Sequence, residues 1–346
     1  MQLKVLLKKF RLKLGKILLD KKMSDNSVSS DSSRFLFLRQ DGKIGDILVS
    51  SFVFRELKKV YPNCYICVVC TAKNRYLLES NTYIDELVEI NKRSILDRIK
   101  TGLKLRRQFF DVVVDLSYIL RNRDLLFIRL IGATNNIGFL KGNYKIFNIN
   151  LLNANDHTSI LYKALLHSLG VMEVNSQYDV PINLIFKENI LNFLQKKHLE
   201  NYICLNFFGA GRDRQFNEYN QKALLRYLLE NTDRKIVLLT FPGVTEELQQ
   251  IISVLHAEDR VFMYSDTKNI LESSVLIENA ALVITADTCV VHFAAAFKKP
   301  LIAFYVDHPE EFVRWHPNNL AETHIFKCKD NINNIDFHQI DPLWLN

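Results

Sequence analysis

The chain has 346 residues, of which 48% are hydrophobic and 24% charged, with 11 Gly and 7 Pro. That length exceeds one typical hydrophobic core and predicts two domains, and the composition excludes a largely disordered chain. The net charge of +7 comes from 45 basic and 38 acidic residues; eight of the basic ones and one acid fall in residues 1–22, leaving 37 of each elsewhere, so the body gives no support for a general polyanion binder and no nucleic-acid partner is expected.

The first segment, MQLKVLLKKFRLKLGKILLDKK, has a helical period. Leu3, Leu6, Leu7, Phe10, Leu14, Ile17 and Leu18 share one face, and Lys4, Lys8, Lys9, Arg11 and Lys16 point elsewhere. It is too charged to span a bilayer and lacks the small-residue cleavage site of a secretory signal. The expectation is a basic amphipathic helix lying on an anionic membrane surface, with packing on the body or a partner chain as the alternative. MSDNSVSSDSS then reads as a polar linker, and no later apolar run reaches the ~18 residues of a membrane span.

Short apolar runs then alternate with helical patterns. RFLFLR (34–39) predicts a strand, 46–60 a helix, CYICVVC (64–70) a second strand, ELVEI (86–90) a third and DVVVDL (111–116) a fourth. A Lys- and Arg-rich helix over 94–109 and another over 121–131 complete the first half. HTSILYKALLHSLG is a helix ending at Gly170 and QYDVPINL is extended, which puts a junction there. Alternation resumes with strands in YICLNFFGAG, KIVLLTFPG, RVFMYSD, AALVITAD and PLIAFY, separated by helices starting near 220, 245, 269 and 289. This rhythm predicts parallel sheets covered on both faces, in two doubly wound halves. The spacing of Cys64, Cys67 and Cys70 suits a metal superficially, but a step of three along a strand turns successive sulfurs to opposite faces, so buried reduced thiols are expected.

In such sheets ligands sit beyond the carboxyl ends of strands, and three loops there are unusual. RQDGKIGD (39–46) is not the GxGxxG fingerprint, which disfavours an NAD-dependent oxidoreductase. Its Asp46, at a helix entrance, reads as a helix cap, a ligand or a base. ITADTCVVHFAAAFKKP (284–300) delivers Asp287 and Thr288 to a helix amino end, with His292 one turn in, a geometry that suits a diphosphate; a capped buried helix is the alternative. NFFGAGRDRQFNEYN (206–220) combines small residues from Gly209 to Gly211 with Arg212 and Arg214, which could neutralise phosphate or form a solvated loop.

In their order and spacing, FLFLRQDGKIGDILVSSFVFRELKKVYP, FFDVVVDL, NNIGF, NFFGAGRDRQF and LVITADTCVVHFAAAFKKPLIAFY resemble the ADP-heptose:lipopolysaccharide heptosyltransferases, glycosyltransferase family nine. The resemblance spans about residues 34–306 and implies a glycosyltransferase-B fold, α/β, with two Rossmann-like domains facing across a cleft. It implies residues 34–170 as acceptor domain and 171–346 as nucleotide-sugar domain, preceded by the helix and linker of 1–33.

Asp46 matches the family's Gly-Asp motif, whose Asp is the catalytic base. Arg214 matches a basic position, usually Lys, on the donor phosphates; Asp287, Thr288 and His292 match D-T-G-x-x-H, with Cys289 in place of Gly. Phe216 stands where Trp is frequent, and Glu246 or Glu247 falls near the acid that binds the ribose. Gly209 and Arg212 complete the expected donor set, and Lys43, Arg121, Arg123, Lys141 and Lys145 are expected acceptor contacts.

The implied activity is inverting transfer of heptose from ADP-heptose to the inner core of lipopolysaccharide or lipooligosaccharide, at the inner face of the inner membrane. No obligatory metal or other cofactor is expected, because no acidic cluster with ligand spacing stands beside the donor loops. A glycosyltransferase using another nucleotide sugar and a catalytically silent sugar-nucleotide or lipid-binding protein are the alternatives.

Overall fold

A computed structural model describes residues 13–23, 33–40, 42–115, 117–152 and 156–346. Leu3, Leu6, Leu7 and Phe10 of the predicted amphipathic helix, and linker residues 24–32, lie outside them. The chain forms two compact units, residues 1–178 and 179–346. Segment 171–178, expected to open the second half, belongs to the first. Arg55 Nη2 donates to the carbonyls of Asn175 and Gln177, and the Asn175 N–H donates to Glu56.

Among the described residues unit 1 opens with helical residues 13–19 (α1). There follow β1 (Arg34–Leu38), α2 (Ile44–Val49), α3 (Phe52–Val60), β2 (Tyr65–Cys70), α4 (Arg75–Leu78) and β3 (Glu86–Glu89). The second part contains α5 (Ile95–Arg106), β4 (Val112–Asp115), α6 (Asn122–Ile131), β5 (Asn135–Phe139), β6 (Ile149–Leu151) and α7 (Thr158–Ser168). The six strands are parallel, in the order β3-β2-β1-β4-β5-β6. Central strands read as continuous apolar runs because both faces are covered.

The predicted helix 46–60 is broken into α2 and α3. At the break Ser50 Oγ donates back to the carbonyls of Asp46 and Ile47, and Ser51 Oγ to that of Leu48, competing with the next helical turn. Of α1 and the residues after it, Leu19 and Met23 pack against the core of unit 1, the Arg129 guanidinium donates to the Leu18 carbonyl, and Asp20 accepts from the Ile146 N–H. Leu14, Ile17 and Leu18 are exposed.

Unit 2 contains α8 (Leu184–Lys196), β7 (Ile203–Asn206), α9 (Glu218–Asn231), β8 (Ile236–Leu238), α10 (Thr245–Val254), β9 (Val261–Met263) and α11 (Ile270–Asn279). After them come β10 (Leu282–Ala286), α12 (Cys289–Ala296), β11 (Leu301–Val306), α13 (Pro309–Trp315) and β12 (Thr323–Cys328). Its parallel order, β12-β11-β10-β7-β8-β9, repeats that of unit 1. Each sheet starts from a central strand, winds outward in one direction, then returns to its other side. The reversal opens a crevice between β1 and β4 in unit 1 and between β7 and β10 in unit 2, where doubly wound sheets bind ligands.

Candidate active site

In unit 2 the loops after β7 and β10 meet at this crevice. Asn206 and Thr285 are register partners at the strand ends, and Asn206 Nδ2 donates to Thr285 Oγ1 at 2.9 Å and to the Phe208 carbonyl at 2.8 Å. The loop then folds back tightly. A Cβ on Gly209 would lie 2.1 Å from the Arg214 carbonyl oxygen, so only glycine admits the helical turn at Arg212–Arg214 there. Phe216 secures the loop's far end, edge-on to Phe207 and Phe304.

The turn aims Arg214 across the crevice. Its Nη1 is 2.9 Å from Asp287 Oδ2, Nη2 is 2.6 Å from Glu311 Oε2 on α13, and Asp213 stands 3.9 Å from Nε. Burial works against the guanidinium charge, but the Glu311 hydrogen bond and the Asp287 charge outweigh it and raise its pKa. Burial pushes the Asp287 carboxyl up to about 6, against the pull of Arg214. Thr288 is the N-cap of α12 with extended backbone and makes no side-chain cap, so its hydroxyl does not occupy the first N–H groups. His292 is buried beside Trp315, and burial lowers its pKa to about 4, leaving a neutral imidazole. Cys289 is partly exposed, its thiol 3.8 Å from Thr288 Oγ1.

Arg214, Asp287, Thr288, Cys289 and His292 are thus gathered at one strand edge. Arg212 is exposed on the same turn as Arg214, but Arg214 is the one drawn into the ion pairs. Glu246 and Glu247 occupy the exposed first turn of α10, after the neighbouring strand β8. Glu311 was not foreseen, since nothing in HPEEF ties it to a loop nearly a hundred residues earlier.

In unit 1 the β1/β4 crevice is a pocket lined by Leu38, Gln40, Lys43, Asp46, Lys92, Asp115, Ser117, Tyr118, Ile119, Arg121 and Asp124. Asp46 is not the cap of its helix: that position is Lys43, and Asp46 lies in the first turn of α2. Its carboxylate is held 3.9 Å from Arg39 Nη1 and 4.0 Å from Lys43 Nζ. Arg39 is buried and its Nη2 donates to the Asp46 carbonyl, Ser50 Oγ and, at 2.9 Å, Tyr162 Oη. This fixes the turn that presents Asp46 to the pocket.

Of the five expected acceptor contacts, Lys43 and Arg121 line the pocket. Lys141 does not, because it is buried: its Nζ lies 3.2 Å from Asp115 Oδ2 and donates to the carbonyls of Ser117 and Phe139. Gly138, paired with Asp115, makes room for its stem; a Cβ there would sit 3.0 Å from Lys141 Cδ. Lys145 is exposed in the β5–β6 connection, where its carbonyl accepts from the Met23 N–H, and Arg123 packs on α6 beside Asp124; neither lines the pocket. Lys92 lines it without having been expected.

The sequence profile of glycosyltransferase family 9 (heptosyltransferase) matches residues 98–339. Among relatives, lipopolysaccharide heptosyltransferase 2 of Escherichia coli K12 is 22% identical over 292 residues, covering 78% of this chain and 82% of its own. The crystal structure of a family 9 glycosyl transferase from Veillonella parvula superposes with a TM-score of 0.75 at 18% identity, over 91% of this chain and 96% of that one. E. coli heptosyltransferase WaaC, solved with ADP, gives 0.65 at 16% identity, over 87% and 96%.

Proposed function

The chain belongs to glycosyltransferase family 9, and from that membership we propose that it transfers heptose, with inversion, from ADP-heptose to the inner core of lipopolysaccharide or lipooligosaccharide. The observation that carries the donor half is the Arg214–Asp287 pair at the mouth of the β7/β10 crevice, beside the uncapped amino end of α12. A guanidinium and helix N–H groups are the ligands a diphosphate needs, and they counter the charge that builds on it as it departs. A relative of the same fold was solved with ADP.

In this reaction an acceptor hydroxyl oxygen attacks the anomeric carbon, the bond from that carbon to the β-phosphate oxygen breaks, and ADP leaves with the bonding pair. Asp46 is the base that receives the hydroxyl proton. Support comes from its place in a pocket with Lys43, Lys92 and Arg121, a cationic rim suited to an anionic core sugar. Such an acceptor is anchored in the cytoplasmic leaflet, so the enzyme works at that surface; the charge excess of residues 1–22 and the exposed Leu14, Ile17 and Leu18 support this.

The test is purified protein with ADP-heptose and a series of truncated core acceptors, products identified by mass. A product one heptose heavier, with ADP released, is expected. Turnover of a different nucleotide sugar alone would reassign the donor, a result that Cys289 at the α12 amino end makes worth testing; no turnover of any would leave a binding protein.

A further inference from the structure

Helix α5 buries an arginine beside Gly102 and Leu105 and leaves large apolar side chains exposed. Arg98 is buried beneath it, its Nη1 3.1 Å from Asp124 Oδ1 at the start of α6, and Gly102 packs closely on Leu130. Leu96 and Leu103 point outward, while Leu105 joins the core. Leu96, Lys100, Leu103 and Arg107 are all exposed, and their steps of three or four residues bring them into one stripe along the helix, with Arg93 exposed in the turn before it. Leu96 is 71% exposed. At the stripe's end Phe109 is 81% exposed and held at a φ of +54°, a conformation costly for an aromatic residue. A merely solvated face would carry charge without large apolar groups between. Cations alternating with leucines suit a surface that is apolar below and anionic above.

We propose that the outward face of α5 is a docking surface for an anionic lipid bilayer. Charge complementarity selects this occupant: residues 91–110 carry seven Lys or Arg and the single acid Asp97. Six of the seven remain outside the core, since only Arg98 is buried. The surface also continues toward the site, because Lys92 just before the helix and the exposed Ile119 both line the pocket that holds Asp46. Helix α1, with its own exposed Leu14, Ile17 and Leu18, adjoins α6 on the same side of the sheet, through Gly15 against Asn122 and Arg129 on the Leu18 carbonyl.

The test uses the full chain in sedimentation with vesicles of phosphatidylethanolamine and phosphatidylglycerol, compared with pure phosphatidylcholine. The parent should bind only the anionic vesicles, and less at high salt. Leu96→Glu with Leu103→Glu, and separately Lys100→Glu with Arg107→Glu, should each weaken binding roughly tenfold or more while keeping the parent's melting temperature. Arg226→Glu, an exposed charge reversal on α9 of unit 2, should bind as the parent does. Equal binding by the stripe variants, equal binding to neutral vesicles, or a parent dimer that Leu96→Glu dissociates without lipid would each overturn the proposal. The readout requires no sugar transfer, so it stands or fails independently of the donor and acceptor assigned above.

Discussion

Lys141→Met tests how the pocket of unit 1 is built. The Lys141 ammonium donates to the carbonyls of Ser117 and Phe139 and lies 3.2 Å from the Asp115 carboxylate as an ion pair, and its side chain is 1% exposed against 5% for Asp115. Methionine fills nearly the same volume, so packing changes little, but among the described residues Asp115 keeps the Ser117 N–H and hydroxyl and loses the cation that balanced its charge. Removing one partner of a buried ion pair costs about 3–5 kcal/mol. For a unit of this size each kcal/mol lowers the melting temperature by about 2–4 °C, so a fall of roughly 6–20 °C is expected. Adding Asp115→Asn to Lys141→Met removes the stranded charge and should restore more than half of the loss. The assay is thermal unfolding of the two variants and the parent, followed by circular dichroism. A loss under about 1 kcal/mol for the single variant, or no recovery in the double, would refute the reasoning. It would mean that Asp115, which also lines the pocket, hydrates there when its partner is gone.

Asp46→Asn should leave folding and ADP binding within error of the parent while transfer falls by roughly 10²–10⁴; near-parental turnover by this variant would remove Asp46 from the mechanism. Arg214→Ala should weaken ADP binding roughly 10- to 100-fold in calorimetry. Glu311→Gln should tighten it about two- to fivefold, because the half-exposed Glu311 carboxylate competes with the diphosphate for Arg214; weaker binding would show that Glu311 positions Arg214 instead. Asp287 predicts a pH dependence of stability. Its carboxyl is raised by burial from 3.8 to about 6, so between those values the folded chain holds a proton that the unfolded chain has lost, and stability falls as pH rises through that window. The loss is at most about 3 kcal/mol, complete above pH 6 and absent below 4. Asp287→Asn lacks it, so the variant's melting temperature should gain on the parent's between pH 4 and pH 7; a constant difference would contradict the assigned shift.

The alternation of two doubly wound halves was legible because buried parallel strands are uninterrupted apolar runs, as in FLFL, ICVVC, VVV and LVIT. Strands β5 and β12 lack that signal. Asn135 and Asn136 of β5 are polar yet buried; Asn148 Nδ2 donates to Asn135 Oδ1, the Asn136 N–H donates to Asn148 Oδ1, and Asn136 Nδ2 donates to the Ile146 carbonyl. The break between α2 and α3 was missed for a related reason: a pair of serines competes with the helix only where Arg39 occupies the Asp46 carbonyl from another element.

Sequence by itself determined the fold class, the family, and the loops after β1, β7 and β10 as the places to search, because these rest on local pattern and on chemistry carried by single motifs. Tertiary structure decided which charges meet. Lys141 and Arg121 look alike along the chain, yet one is sealed against Asp115 and the other lines the pocket. Arg214 found Glu311, and α5 turned Leu96 and Leu103 outward while burying an arginine. Burial and pairing belong to elements distant in sequence, and a charged residue's free energy depends on them far more than on its neighbours along the chain.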